Sequence, residues 1–98
     1  MTGADEQQSV RLTAWVHGSV QGVGFRWWTR SHALELGLVG WAKNLADGRV
    51  EIVAEGTREQ CDRLVAALRS VRAPGRVTGV SAQDYVPARG GVEGFTER

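Results

Sequence analysis

This 98-residue chain has little cysteine, no long apolar run and no excess of either charge, and each absence excludes a class of protein. The one cysteine, Cys61, cannot form an internal disulfide or a multi-cysteine metal site, and it fits a reducing compartment. No stretch approaches the ~20 apolar residues of a membrane-spanning helix. The first nine residues lack the apolar core of a secretory signal. We therefore expect a cytoplasmic protein that does not bind membranes.

The charges of the two signs nearly cancel. Twelve lysine and arginine residues face eleven aspartate and glutamate residues, so the net charge is +1 and there is no broad basic field. Nucleic acid is therefore not expected as the main partner. The length suits one domain, and 42% hydrophobic with 23% charged residues is typical of globular proteins. We expect a frayed tail over residues 1–9 and a monomeric domain over residues 10–98.

Patterns in the first half of the chain predict a strand, a helix and a hairpin. Apolar and polar residues alternate over residues 10–17, which is typical of a half-buried strand. Helical spacing over residues 25–36 predicts a helix. Its expected apolar face consists of Phe25, Trp28, Ala33 and Leu36. Asp47-Gly48, between residues 39–45 and residues 49–56, predicts a hairpin.

The second half continues with a helix and weaker strands. Residues 57–60 form a capping-box pattern that opens a helix. The apolar stripe of this helix consists of Cys61, Leu64, Val65 and Leu68. Residues 76–86 indicate a weak strand with a bulge or bend, and residues 95–98 can add a short fifth strand. The order β-α-β-β-α-β predicts a ferredoxin-like α+β fold, an antiparallel sheet with two helices on one face.

The stretch from Gly18 to Arg26 joins the first strand to the first helix. Its three glycines allow left-handed backbone and a close approach to a ligand, so that successive N–H groups can point at an anion. The helix N-terminus behind them adds free donors and a favourable dipole. Arg26 adds a planar charged fork that suits phosphate. These residues indicate a phosphate-binding loop, although such a turn can also be a plain connection.

Two blocks of the sequence resemble the signature of the acylphosphatase family. The first is Gly18-x-Val20-Gln21-Gly22-Val23-x-Phe25-Arg26. The second runs from Gly37 to Gly48 and has Gly40, Trp41, Lys43 and Asn44 in place. Together they cover roughly the first half of the chain. The resemblance implies the ferredoxin-like fold and the hydrolysis of an acyl phosphate to a carboxylate and inorganic phosphate.

The resemblance also implies which residues act. It assigns catalysis to Arg26 and Asn44, with Arg26 binding the phosphoryl group and Asn44 orienting the attacking water. Backbone donors of six residues would hold the phosphate: Ser19, Val20, Gln21, Gly22, Val23 and Gly24. Neither a metal nor another cofactor is implied, and the only partner implied is a small acyl phosphate.

The reaction needs little acid–base help. The leaving group is a carboxylate whose acid has a pKa of roughly 4, so it departs without protonation. The sequence offers no obvious general base, because Asp47 lies in the hairpin turn and Glu51 and Glu55 occupy strand positions that are expected to be solvated. A phosphate oxygen, with a second pKa of about 6, can itself accept the proton of the water.

Two other functions remain open from the sequence. A non-catalytic phosphate-binding or regulatory module would use the same loop, although the intact Arg26 and Asn44 favour catalysis. An RNA-binding domain of this fold would expose aromatic residues on the open face of the sheet, where Trp15 and Trp41 are expected, with Arg11 and Lys43 nearby. The even charge balance disfavours RNA.

Trp27 and Trp28 cannot both face the core, because adjacent helical positions point about 100° apart. We expect Trp28 in the core and Trp27 near the surface or over the cleft. Acylphosphatases often carry an aromatic residue shortly after the arginine of the first block. Trp28 suits that position, whereas Trp27 is unusual.

Overall fold

The structure is a computed structural model that describes residues 8–98. Eight elements follow one another in this part of the chain. They are β1 (Val10–Ser19), α1 (Phe25–Glu35), β2 (Val39–Asn44), β3 (Val50–Gly56), α2 (Arg58–Leu68), β4 (Arg76–Ala82), β5 (Val86–Pro87) and β6 (Phe95–Glu97). Of the frayed tail expected over residues 1–9, residues 1–7 lie outside the described part. Within residues 8–98, neither helix has the length and hydropathy to cross a membrane.

The sheet confirms the predicted ferredoxin-like α+β fold. Its strands lie in the order β4-β1-β3-β2-β6, and β5 pairs with the start of β1. One pairing differs from the expected antiparallel sheet, because β6 runs parallel to β2 with Phe95 opposite Gly40. The chain reverses between β5 and β6, so β6 takes the direction of β1 and β2 and adds to the free edge of β2. The sheet is therefore mixed.

The weak strand expected over residues 76–86 is divided in two. β4 ends at Ala82, and the separate strand β5 begins at Val86. The expected bulge is confirmed at Thr78, where the register of β4 against β1 shifts just beyond His17. A bulge bends a strand and increases its local twist. It lies beside the point where β1 leads into the loop before α1.

The core lies between the sheet and the two helices. Alternate residues of β1 and β3 are fully buried, as their period of two predicts: Leu12, Ala14, Val16, Val50, Ile52 and Ala54. In α2, Cys61, Leu64 and Leu68 are fully buried and Val65 is packed against them. The capping box of α2 is confirmed, since the Thr57 hydroxyl accepts from the Gln60 N–H at 3.1 Å.

The buried face of α1 is rotated from the expected one. Phe25, Thr29 and Ala33 are its buried residues, whereas Trp28 and Leu36 are only partly buried. The sequence pattern missed Thr29 because a hydroxyl residue was not counted as apolar. With this face buried, Arg26 lies on the side of α1 that is next to β6. Its guanidinium donates there to the backbone oxygen of Arg98, the residue after β6.

Glu55, which was expected to be solvated, is buried. Its carboxylate accepts from the Arg11 guanidinium at 2.7 Å and from the N–H groups of Arg89 at 2.8 Å and Gly90 at 3.1 Å. Burial alone would raise the pKa of this carboxyl, but the three hydrogen bonds together lower it. Glu55 therefore fastens the segment between β5 and β6 to the open face of the sheet.

The Glu55→Gln variant is expected to unfold more easily at pH 7, because it loses a charged acceptor with three donors. We expect the free energy of unfolding to fall by about 2 kcal/mol. Since the pKa of Glu55 is lowered by folding, its stabilisation is present above the unfolded pKa of about 4.3 and is lost as the pH falls through the folded pKa. Urea unfolding at several pH values measures the difference.

Glu59→Gln is the matched control, because Glu59 forms an exposed i,i+4 ion pair with Arg63 on α2. Such pairs contribute only about 0.3–0.5 kcal/mol. Equal destabilisation by Glu55→Gln and Glu59→Gln would contradict a fastening role for Glu55.

Candidate active site

The glycine-rich loop (residues 19–24) connects the end of β1 to the start of α1. Gly22 and Gly24 have φ angles of 76° and 81°, in the left-handed region that residues with a Cβ rarely adopt. Gly24 is the N-cap of α1, and within residues 8–98 no side chain caps this helix. The first amides of α1 therefore face the loop with their donors available to an anion.

The register of the sheet brings Asn44 to the same end of the molecule. Val50 pairs with Val16 of β1 on one side and with Asn44 of β2 on the other. Neighbouring strands lie about 4.8 Å apart, so Asn44 is two strand spacings from Val16, which lies three positions before the loop begins at Ser19. The side-chain oxygen of Asn44 is buried and has no hydrogen-bond partner within residues 8–98. Such an atom commonly serves a water molecule or a ligand.

The two predicted catalytic residues, Arg26 and Asn44, converge on one atom. The backbone oxygen of Arg98 accepts from the Arg26 guanidinium at 2.8 Å and from the Asn44 N–H at 3.1 Å. Arg98 is held in turn by its own N–H, which donates to the Ala42 oxygen at 2.7 Å. Residues 18 positions apart in the sequence are thereby fixed beside each other at the edge of the loop.

The six residues predicted to bind phosphate all lie in the loop or at its border. Ser19, Gly22, Val23 and Gly24 are exposed, and Gln21 is half-buried. The side chain of Val20 is buried in the core, so only its backbone can meet a ligand. The loop, Arg26 and Asn44 therefore surround one region, and their roles there remain a prediction.

The side chain of Gln21 has a function that the sequence did not reveal. Its amide nitrogen donates to the Leu45 oxygen at 2.8 Å and to the Arg49 oxygen at 3.0 Å. Both oxygens belong to the β2–β3 turn that follows Asn44. Gln21 thus fastens the glycine-rich loop to the hairpin, and its place in the first sequence block was the only available signal.

Other reactive side chains lie apart from this region. Burial raises the pKa of the Cys61 thiol to about 11, which suits a buried apolar residue rather than a nucleophile. His32 contacts Trp28, with ring centroids 4.4 Å apart and the ring planes tilted by 56°. In the part of the chain that the structure describes, no three histidine, cysteine or acidic side chains are grouped as metal ligands.

Within residues 8–98, the two tryptophan residues expected on the open face of the sheet both contact charged side chains. The guanidinium groups of Arg11 and Arg98 lie 5.4 Å and 4.1 Å from the centroid of the Trp41 ring. The Trp15 indole N–H donates to Glu51 at 3.1 Å. The two guanidinium groups by Trp41 and the Glu51 carboxylate at the Trp15 N–H make this face less suited to stacking on an RNA base.

The chain is similar to known proteins over nearly its whole length. The Acylphosphatase family model matches residues 12–96. The chain belongs to the acylphosphatase family. It is 63% identical to "Acylphosphatase" of Nocardia farcinica over 91% of this chain and 88% of that protein, and 62% identical to "Acylphosphatase" of Saccharopolyspora erythraea over 95% and 97%. The crystal structure of acylphosphatase from Bacillus subtilis superposes with a TM-score of 0.81 at 35% identity, over 91% of this chain and 98% of that one.

Replacement of Gln21 by leucine should loosen this acylphosphatase fold at the site, because both hydrogen bonds to the hairpin are lost. We expect the free energy of unfolding to fall by about 1–2 kcal/mol. We also expect inorganic phosphate to bind several-fold more weakly, since the loop and the Asn44 hairpin are no longer held together. Urea unfolding and calorimetric titration with phosphate measure the two effects.

Gln83→Leu is the control for this substitution, because Gln83 is exposed beyond the end of β4. It should change neither quantity. Unchanged stability and unchanged phosphate affinity in Gln21→Leu would show that the two hydrogen bonds do not hold the site together.

Proposed function

We propose that the chain hydrolyses the carboxyl–phosphate bond of small acyl phosphates, releasing a carboxylate and inorganic phosphate. The observation that carries the proposal is the convergence of Arg26 and Asn44 on the Arg98 oxygen beside the glycine-rich loop. Family membership supports it, since the relatives named above are acylphosphatases. A phosphate bound in the loop would meet one cation and one neutral amide, the two groups that this reaction needs.

The phosphoryl group is bound by the backbone and by Arg26. The N–H groups from Ser19 to Gly24 and the N-terminus of α1 supply fixed donors, which need no reorganisation during the reaction. Arg26 uses one N–H on the Arg98 oxygen and keeps its other donors for the phosphate oxygens. Donors aimed at the three equatorial oxygens stabilise the charge that is spread over them in the transition state.

The attacking water is oriented by Asn44. Its buried side-chain oxygen can accept a hydrogen bond from the water, and the amide carries no charge that would repel the phosphate. The Asn44 backbone N–H donates to the Arg98 oxygen at 3.1 Å, and this hydrogen bond restrains the backbone that carries the side chain. Because the water is already oriented when the substrate binds, its loss of translational and rotational entropy no longer adds to the activation barrier.

The water gives its proton to the substrate. The carboxylates in and next to the hairpin already have hydrogen-bond donors of their own, which disfavours them as general bases. Asp47 pairs with Arg49 at 2.8 Å, Glu51 accepts from the Trp15 indole N–H, and Glu55 accepts from three donors. A phosphate oxygen can accept the proton, because its second pKa is about 6. The carboxylate then leaves without an acid, so the mechanism has no step for a metal ion or another cofactor.

We further propose that the enzyme acts as a monomer in the cytoplasm. Arg26, Asn44 and the glycine-rich loop all come from one chain, so the site needs no second copy. Cys61 is buried as a free thiol, which fits a reducing compartment.

Hydrolysis of acetyl phosphate and benzoyl phosphate, with a metal chelator present, tests the mechanism in the wild type, Arg26→Lys and Asn44→Ala. We expect wild-type turnover and a loss of kcat of about 100-fold or more in each variant, a magnitude typical of removing a group that stabilises the transition state. Arg26→Lys should fail despite its charge, because a single ammonium cannot replace the planar fork.

Arg63→Lys is the control, since Arg63 is exposed on α2 and should keep full turnover. Near-full activity in Arg26→Lys would refute the role of the fork. A folded wild type that binds inorganic phosphate but hydrolyses neither substrate would favour the non-catalytic regulatory module instead.

A further inference from the structure

Trp27 is exposed at 60% of its surface, although tryptophan is a large apolar residue. Helical positions advance by about 100°, so Trp27 points nearly opposite to the buried stripe of Phe25, Thr29 and Ala33. Its neighbour Trp28 packs on Phe25, with ring centroids 5.8 Å apart. Packing against the core therefore accounts for a tryptophan at position 28, but it does not account for one at position 27.

Trp27 occupies the third position of α1, at the border of the glycine-rich loop. Helical side chains lean toward the N-terminus, so a residue covers the surface of the turn before its own Cα. For Trp27, that turn is the loop itself. Val23, also apolar and 44% exposed, lies in this loop four positions earlier. The two side chains thus border the place where phosphate is proposed to bind.

The strand order decides on which side of the phosphate the acyl group lies. Asn44 ends β2, on one side of the β1–loop junction, and Gly75 precedes β4 on the other side. Val23 is on the Gly75 side, since a Cβ built on Gly75 would lie 2.8 Å from Val23 Cγ2 and would also meet the Ser19 oxygen. Water and leaving group stand in line on opposite sides of phosphorus. A water held by Asn44 therefore directs the acyl group away from β2, toward Val23.

We propose that Val23 and Trp27 form an apolar rim that binds the acyl group of the substrate and favours aromatic or extended aliphatic acyl phosphates over acetyl phosphate. This inference rests on the proposed function. The loop backbone and Arg26 bind the phosphate, which all such substrates share, and the rim contacts the acyl part, in which they differ. An acetyl group is too short to cover the indole, whereas a phenyl ring or a longer chain removes apolar surface of both partners from water.

The test compares kcat/KM for acetyl phosphate and benzoyl phosphate in the wild type, Trp27→Ala and Trp27→Phe. Losing a contact of roughly 50 Å² of apolar surface corresponds to about an eightfold change in kcat/KM. We expect Trp27→Ala to lower kcat/KM for benzoyl phosphate by about that factor and to leave acetyl phosphate within about twofold. Trp27→Phe should keep most of the wild-type preference, because it retains an aromatic ring.

Leu34→Ala is the matched control. Leu34 is also an exposed apolar residue, at 43%, on the outer side of α1, and it lies seven positions beyond Trp27, or about 10 Å further from the loop. It should not change the ratio of kcat/KM for the two substrates. The same shift in Leu34→Ala would mean that the ratio reports a general property of the helix and would overturn the proposal.

Two further results would also overturn it. An unchanged ratio in Trp27→Ala would show that the indole does not contact the acyl group. An equal loss on both substrates would show that Trp27 supports the loop rather than recognising the acyl part. Failure of the proposed function is distinguishable from these results, because the wild type would then hydrolyse neither substrate, and the rim would have no acyl group to bind.

Discussion

The antiparallel pairing of β1 with β3 is the interaction on which the rest of the structure depends. It runs from Val10 opposite Gly56 to Val16 opposite Val50 and buries the alternate residues of both strands under the helices. A shift by one residue would turn every buried side chain of β1 to the open face. The same register places the end of β1 beside the start of β3, so that the glycine-rich loop meets the hairpin that carries Asn44. Core packing and site geometry are therefore set by one constraint.

Features that depend on nearby residues could be predicted from the sequence. The alternation of β1, the hairpin around Asp47-Gly48 and the capping box at residues 57–60 each involve groups a few positions apart, and the structure has all of them. The loop was also recognisable, because its glycines must take left-handed φ angles. The pairing of Arg26 with Asn44 is different. No spacing rule links them, and the prediction depended on resemblance to a family.

The remaining features join segments that are far apart in the sequence. The Gln21 amide reaches the β2–β3 turn, the Arg98 oxygen meets Arg26, and Glu55 holds the Arg89 N–H. A hydrogen bond from a side chain to a distant backbone leaves no periodicity, so the pattern of apolar residues cannot reveal it. Glu55 shows the consequence most clearly. Its position in an alternating strand predicts solvent exposure, but a segment 34 residues later covers it.

The proposed site divides substrate recognition between its phosphate-binding groups and an apolar rim, and this division has a physical reason. Phosphate is the same in every substrate, so under the proposed mechanism it is bound by Arg26 and by rigid amides at the end of β1 and the start of α1. The acyl group varies, and the proposed rim meets it with the exposed side chains of Val23 and Trp27, which contribute little to the core. A substitution at Trp27 leaves the backbone of the glycine-rich loop in place. If the rim binds the acyl group as proposed, preference for that group can change without disturbing the donors proposed to stabilise the transition state.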